Sequence, residues 1–280
     1  MMRIPRAECL RRLHKTISEG RSILGVGAGI GLSAKCSEAG GADLIIIYNS
    51  GRYRMAGRSS MAGSMPYGDA NAIVMEMAGE VLPVVKDTPV LAGVCGTDPF
   101  RLMPVFLRQL CEMQFSGVQN FPTVGTYPPD SIRRQNLEAA GMGFGVEVEM
   151  IAEAHRLNLL TTPYVYTVEE AKEMAKAGAD VLVAHMGLTT KGAIGAKVAI
   201  TLEEAAEGVQ KIHDAGKSIN PDIIVICHGG PIAEPKDVEY ILKNTRGIVG
   251  FFGASSIERL AVERAITQQV AEFKAISMKQ

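Results

Sequence analysis

The chain lacks a cysteine pattern that could staple it or hold a structural metal. Its five cysteines, Cys9, Cys36, Cys95, Cys111 and Cys227, are odd in number and none has CxxC spacing. Neither a disulfide framework nor a structural zinc site is expected from that spread, and a reducing compartment is implied. Long apolar runs are missing too. The longest, 44–48 and 223–227, are strand-sized and fall well short of the roughly 20 residues of a membrane span. The opening segment MMRIPRAECLRRLHKTI is charged and has no apolar signal core, so a cytoplasmic location is expected. Charge of one sign does not accumulate either. Lys and Arg number 29 against 30 Asp and Glu, for a formal net charge of -1. Without a concentrated basic face, neither nucleic acid nor an anionic membrane is the expected partner. A small molecule is.

What the chain does have is a large potential core: 47% of its 280 residues are hydrophobic and 21% charged. Short β-branched runs alternate with helical patterns throughout, at 23–27, 43–48, 90–95, 117–121, 159–164, 180–184, 222–227 and 248–252. Such nearly continuous apolar runs suit strands covered on both faces. Thr167 with Glu170, Thr201 with Glu204 and Ser255 with Glu258 are spaced as capping boxes. Pro99 after Asp98 and Pro235 after Glu234 fit the first helical position. Eight strand–helix units close a barrel of roughly 250 residues. The predicted fold class is therefore α/β, a (β/α)8 TIM barrel forming a single domain over residues 1–280. A doubly wound open sheet shares the alternation. It is disfavoured because the glycine run 25–31 is followed by no acidic residue at the end of the second strand.

In a barrel, the C-terminal strand ends carry the chemistry. Cys227-His228-Gly229-Gly230-Pro231 closes the seventh run and Phe252-Gly253-Ala254-Ser255-Ser256 the eighth. Their small residues would leave backbone N–H groups open to an anion, helped by the positive end of the following helix. His185 and His228 directly follow the sixth and seventh runs, where they would converge on one ligand edge and transfer protons near neutral pH. Asn49, Ser50 and Asn120 lie at other strand ends and would orient a carbonyl or carboxylate. Cys95 reads as a nucleophile or as a small buried apolar residue, and Lys191 as an anion clamp or a solvated lysine. Two long connections, 49–68 and 187–200, read as functional loops. Met55, Met61, Met65, Met75 and Met77 hint at a subunit contact and a homo-oligomer.

Gly31-Leu32-Ser33-Ala34-Lys35, Glu38-Ala39-Gly40-Gly41-Ala42-Asp43 and Ser50-Gly51 resemble the opening of the phosphoenolpyruvate mutase/isocitrate lyase superfamily. Tyr48–Arg52, Ala184–Thr189 and Gly250–Arg259 are similar to a narrower group, the phosphoenolpyruvate hydrolase-like TIM-barrel proteins, also called TIM-barrel signal-transduction proteins. The resemblance covers essentially the whole chain. It implies a hydrolase or lyase that cleaves a C–P or C–C bond in a small anionic 2-oxo acid such as phosphonopyruvate. The alternative it implies is a non-catalytic, metabolite-sensing barrel. On this reading His185 and His228 move protons, while Gly229, Gly230, Gly253, Ala254 and Ser255 hold the anionic group. The superfamily carries an Asp-rich, magnesium-holding segment after its third strand. Here Leu91–Asp98 has a single acid, and the nearest other carboxylates are Asp69, Glu147 and Glu149. No resident metal or other cofactor is expected.

Overall fold

The computed structural model describes residues 3–278. Nine strand segments form one sheet: β1 (Ile23–Gly27), β2 (Leu44–Ile47), β3 (Val90–Val94), β4 (Gly117–Asn120), β5 (Leu160–Thr161), β6 (Tyr164–Val165), β7 (Val181–His185), β8 (Ile224–His228) and β9 (Gly250–Gly253). All pair in parallel, in the order β5-β4-β3-β2-β1-β9-β8-β7-β6. The two edge segments, β5 and β6, are consecutive pieces of one extended stretch. On one side the Thr162 N–H donates to Val118 O at 3.0 Å, and on the other the Val183 N–H donates to Pro163 O at 2.9 Å. The edges are thus the same segment, and the sheet closes into a barrel with eight strand positions. The fifth run was expected as one strand. It is split because Pro163 has no N–H to give to a ladder.

The strands are apolar almost throughout because helices cover the outside and side chains fill the inside. β2, β3, β7 and β8 are buried at every position. Helix starts follow local chemistry. Thr201 accepts from the Glu204 N–H at 3.1 Å while Glu204 Oε2 accepts from the Thr201 N–H at 2.7 Å, and the helix Leu202–Ile219 follows. Pro235 opens the helix Pro235–Asn244. No helix among the described residues is long and apolar enough to cross a membrane.

Four local expectations are corrected. Asp98 caps no helix: it accepts from the Phe100 N–H, Asn71 Nδ2 and Arg101, and the next helix starts at Met103 with Pro104 in its first turn. Glu170 completes no box, because its carboxylate takes the Tyr166 N–H and Arg134 instead. Ser255 and Glu258 make no box either. Glu258 is drawn inward by Gly29, Ser33 and Arg54, and the helix begins at Arg259. Finally, the connection 49–68 is not simply a loop. It starts as the helix Asn49–Met55 and continues through a 3-10 turn, Ser60–Ser64. Gly29 and Gly51 permit this: the backbones touch there, and a Cβ on Gly51 would sit 3.0 Å from both Ala28 O and Gly29 Cα. Of the methionines expected at a subunit contact, Met77 is buried in the core, whereas Met61 and Met65 are exposed.

Candidate active site at the barrel mouth

His185 and His228 end β7 and β8 and face each other in the strand register. Equivalent positions on neighbouring strands point to the same side, so the imidazoles meet with centroids 4.5 Å apart. Tyr164, from β6, packs 4.8 Å from His185 and 4.9 Å from His228, and Tyr166 stacks on His185 at 4.5 Å. These rings line a cavity of about 360 Å³ at the C-terminal strand ends.

Hydrogen bonds behind the rings assign their tautomers. The Gly187 N–H donates to His185 Nδ1 at 3.0 Å. An amide can only donate, so Nδ1 is bare and the neutral ring carries its proton on Nε2. His228 is the reverse: its Nδ1 lies 2.5 Å from the Phe252 carbonyl oxygen, which can only accept. Here Nδ1 holds the proton and Nε2 is bare. Among the described residues neither Nε2 has a protein partner, and both rings line the cavity. The site therefore offers one Nε2–H donor beside one Nε2 acceptor. Burial, and then the neighbouring His228, hold His185 well below the usual histidine range. Burial also brings His228 down to about 4 despite its bond to Phe252. The sequence placed both ionisations near neutrality; desolvation moves them lower.

The cation at the mouth is Arg54, which the sequence reading missed. It is buried and paired with Glu258 at 3.2 Å, and its NH1 donates to Ser50 Oγ at 3.1 Å. Burial opposes its charge, but Tyr48, Glu258 and Tyr164 outweigh that and keep its pKa raised. Glu258 is itself held by the Gly29 N–H and the Ser33 hydroxyl. Once Asn49–Met55 is known to be a helix, Ser50 and Arg54 fall on one face at i and i+4. Ser60 Oγ lies 2.9 Å from Ser255 Oγ at the rim.

The other predicted residues divide. Ser50, Ala254 and Ser255 line the cavity with the two histidines. Asn49 turns away and donates through Nδ2 to Gly63 O at 2.9 Å. Asn120 is sealed beneath the site, donating to Glu147 Oε2 at 2.7 Å and accepting the Tyr164 N–H at 2.7 Å. Of the expected anion nest at Gly229 and Gly230, the Gly230 N–H is consumed internally, donating to Gly187 O at 2.7 Å, and neither glycine lines the cavity. Gly253 is a packing glycine, since a Cβ there would run into Ile257 and Phe251. Cys95 lies outside the cavity, with its thiol pushed up to about 11, chiefly by burial. Lys191 reaches Glu234 and Asp237 rather than the mouth.

A profile of the phosphoenolpyruvate hydrolase-like family matches residues 8–276. The chain belongs to that family. It is 63% identical over 96% of its length to the tomato (Solanum lycopersicum) ToMV susceptible protein tm-1(GCR26), covering 36% of that protein. It is 32% identical over 98% of its length to a putative transcriptional regulatory protein, y4pA, of Sinorhizobium fredii, covering 45% of it. The chain thus spans less than half the length of these curated relatives. In fold it is similar to a phosphonopyruvate hydrolase solved with oxalate and Mg2+, with a TM-score of 0.56 at 16% identity, over 95% of this chain and 87% of that one.

Magnesium is a hard cation that takes oxygen ligands, commonly one or two carboxylates. The residues of this family member do not fit it. Among the described residues Arg54 is the only formally charged one lining the cavity, and Glu258 is already occupied. Asp69 and Asp98 bind Arg101, and Glu147 is enclosed with Asn120 and Thr123. Among the described residues no three His, Cys, Asp or Glu gather in a metal-binding arrangement.

Proposed function

We propose that this protein is an enzyme that cleaves the C–P or C–C bond next to the carbonyl of a small anionic 2-oxo acid at the barrel mouth. The observation that carries this reading is the pair of neutral histidines with opposite open nitrogens, His185 Nε2–H and His228 Nε2. An acceptor able to take a proton beside a donor able to steady a developing oxyanion is the minimum for such a cleavage. Arg54, Ser50 and Ser255 stand where a carboxylate would be oriented. The family's name and the likeness to phosphonopyruvate hydrolase support the substrate class. Steady turnover of a panel of 2-oxo acids and phosphonates, with pyruvate and phosphate followed separately, is the test. Turnover by the wild type that disappears in His228→Gln is the expected result.

A second reading is a barrel that binds the same class of metabolite and signals without turnover. The relative named as a transcriptional regulatory protein favours it. Saturable binding with no turnover of any compound would select it.

A further inference from the structure

Building on the enzyme reading, we infer that the ligand is a monoanion with an unsaturated or aromatic body, and that the bond broken is C–C rather than C–P. The charge count comes first. Among the described residues Arg54 is the only charged one on the cavity wall, and Glu258 takes its Nε and NH2, leaving NH1 to Ser50. His185 is neutral by the Gly187 N–H that occupies its bare Nδ1, and burial keeps His228 neutral. Because Glu258 already offsets Arg54, each negative charge the ligand carries adds to the cost of burial, and one costs less than two. A phosphonate-bearing oxo acid would bring at least two negative charges to one partly committed guanidinium, and burying unmatched charge is strongly unfavourable. After β8, the Gly230 N–H is taken by Gly187 O.

The walls make the complementary argument. Tyr48, Phe121, Tyr164 and Tyr166 present rings to the cavity, and Tyr48 and Phe121 lie 4.8 Å apart. Such a ring-lined wall suits an unsaturated or aromatic body, which gains from offset and edge contacts.

An acylated 2-oxo acid, R–CO–CH2–CO–COO−, has this form. Water adds to its acyl carbon and gives a proton to His228 Nε2. The bond between the acyl carbon and the methylene breaks, and its electron pair forms the enolate of pyruvate, whose oxygen accepts from His185 Nε2–H. The methylene carbon then takes the proton from His228. The products are the carboxylic acid R–COOH, which ionises, and pyruvate. Nothing is oxidised or reduced.

The experiment uses the full chain with phenylpyruvate, benzoylpyruvate and phosphonopyruvate, measuring melting temperature, calorimetric affinity, and release of pyruvate and phosphate. Both monoanions should bind at least about tenfold more tightly than phosphonopyruvate, and pyruvate should form from benzoylpyruvate only. Equal or tighter binding of phosphonopyruvate, or release of phosphate from it, overturns the inference and leaves the enzyme reading standing. Tight monoanion binding with no pyruvate from benzoylpyruvate supports the charge class but overturns the cleavage step, and the wider panel of 2-oxo acids and phosphonates then decides the enzyme reading. Thr189→Lys, which adds a cation to the cavity wall, should narrow the preference for monoanions about tenfold. An unchanged ratio would rule out charge as the discriminator.

Discussion

The ends of β4 and β8 carry polar side chains at comparable heights in one barrel, and they do opposite things. At β4, Asn120 spends its amide on Glu147 and on the Tyr164 backbone. Glu147 in turn takes the Thr123 hydroxyl at 2.7 Å and the Val124 N–H at 2.8 Å. Each member of that cluster is held by the others. At β7 and β8, each imidazole commits one nitrogen to the backbone and leaves the other open to the cavity. Position in the barrel does not distinguish scaffold from site here. What distinguishes them is hydrogen-bonding capacity left over after folding.

The largest expected effect comes from removing that open capacity. His228→Gln should lower turnover by about 10²–10⁴-fold, the usual worth of a general base, while melting temperature stays close to wild type. Steady-state kinetics beside a thermal scan would check both halves. A variant that melts early yet turns over normally per folded molecule would make His228 another Asn120.

Asn120→Ala should do the reverse. It strands the Tyr164 amide in the interior, costing about 1–3 kcal/mol for a buried group left unpaired, and takes one of three donors from Glu147. Turnover per folded molecule should fall much less than in His228→Gln. Denaturant titration with the activity of the folded fraction separates the two, and lost activity at unchanged stability would move Asn120 into the site.

The two clusters should also respond to pH with opposite signs. Burial raises Glu147 from 4.5 to about 7 although Thr123, Val124 and Asn120 all donate to it. Its folded form therefore keeps a proton that the unfolded chain releases, and stability falls as pH rises from about 4.5 to about 7. His228 is lowered from 6.5 to about 4. There the unfolded chain takes up a proton that the folded form refuses, so stability falls as pH drops from about 6.5 to about 4. Each contribution is on the order of 3 kcal/mol, and where the windows overlap they largely cancel. Glu147→Gln should unmask the acid-side loss, and replacing both His185 and His228, which burial lowers alike, the loss on the other side. Chemical denaturation across pH 4–7 would show it, and parallel curves for both variants would contradict the assignment.

The barrel was legible in the sequence because it rests on repetition: apolar runs of strand length alternating with helical stripes identify the architecture without any contact being known. The two histidines were legible because each directly follows such a run. Arg54 was not, because a Gly/Ser/Arg/Met-rich stretch reads as a loop, and only the close approach of Gly29 to Gly51 reveals a helix that turns Arg54 inward. Asn120 was misread because a strand-end position says where a side chain starts and not who has already claimed it. Glu147, 27 residues along the chain, holds that answer. The glycines after β8 were misread for the same reason, since the Gly187 carbonyl that takes the Gly230 N–H lies on a distant loop.

The smallest effect expected lies at the rim, on the loop that contributes Gly187, Leu188 and Thr189 to the cavity wall. Lys191 fastens that loop outward, with Nζ 2.7 Å from Glu234 and 3.0 Å from Asp237, while Arg259 donates to the Lys191 carbonyl at 2.9 Å. Burial acts against the lysine charge, and the bonds to Glu234 and Asp237 more than offset it, so its pKa is raised. The side chain is 37% exposed, and water and salt screen such a contact to well under about 1 kcal/mol. Lys191→Met should therefore leave the melting temperature nearly unchanged. Because the same loop walls the cavity, ligand affinity should weaken by less than about tenfold, with the rate at saturation almost intact. Raising the salt concentration should weaken wild-type affinity in the same direction and leave Lys191→Met indifferent. Calorimetry at two ionic strengths reads both. A loss of turnover comparable to that of His228→Gln would place Lys191 on the ligand itself and remove the division between an open pair of histidines and a rim that only closes over them.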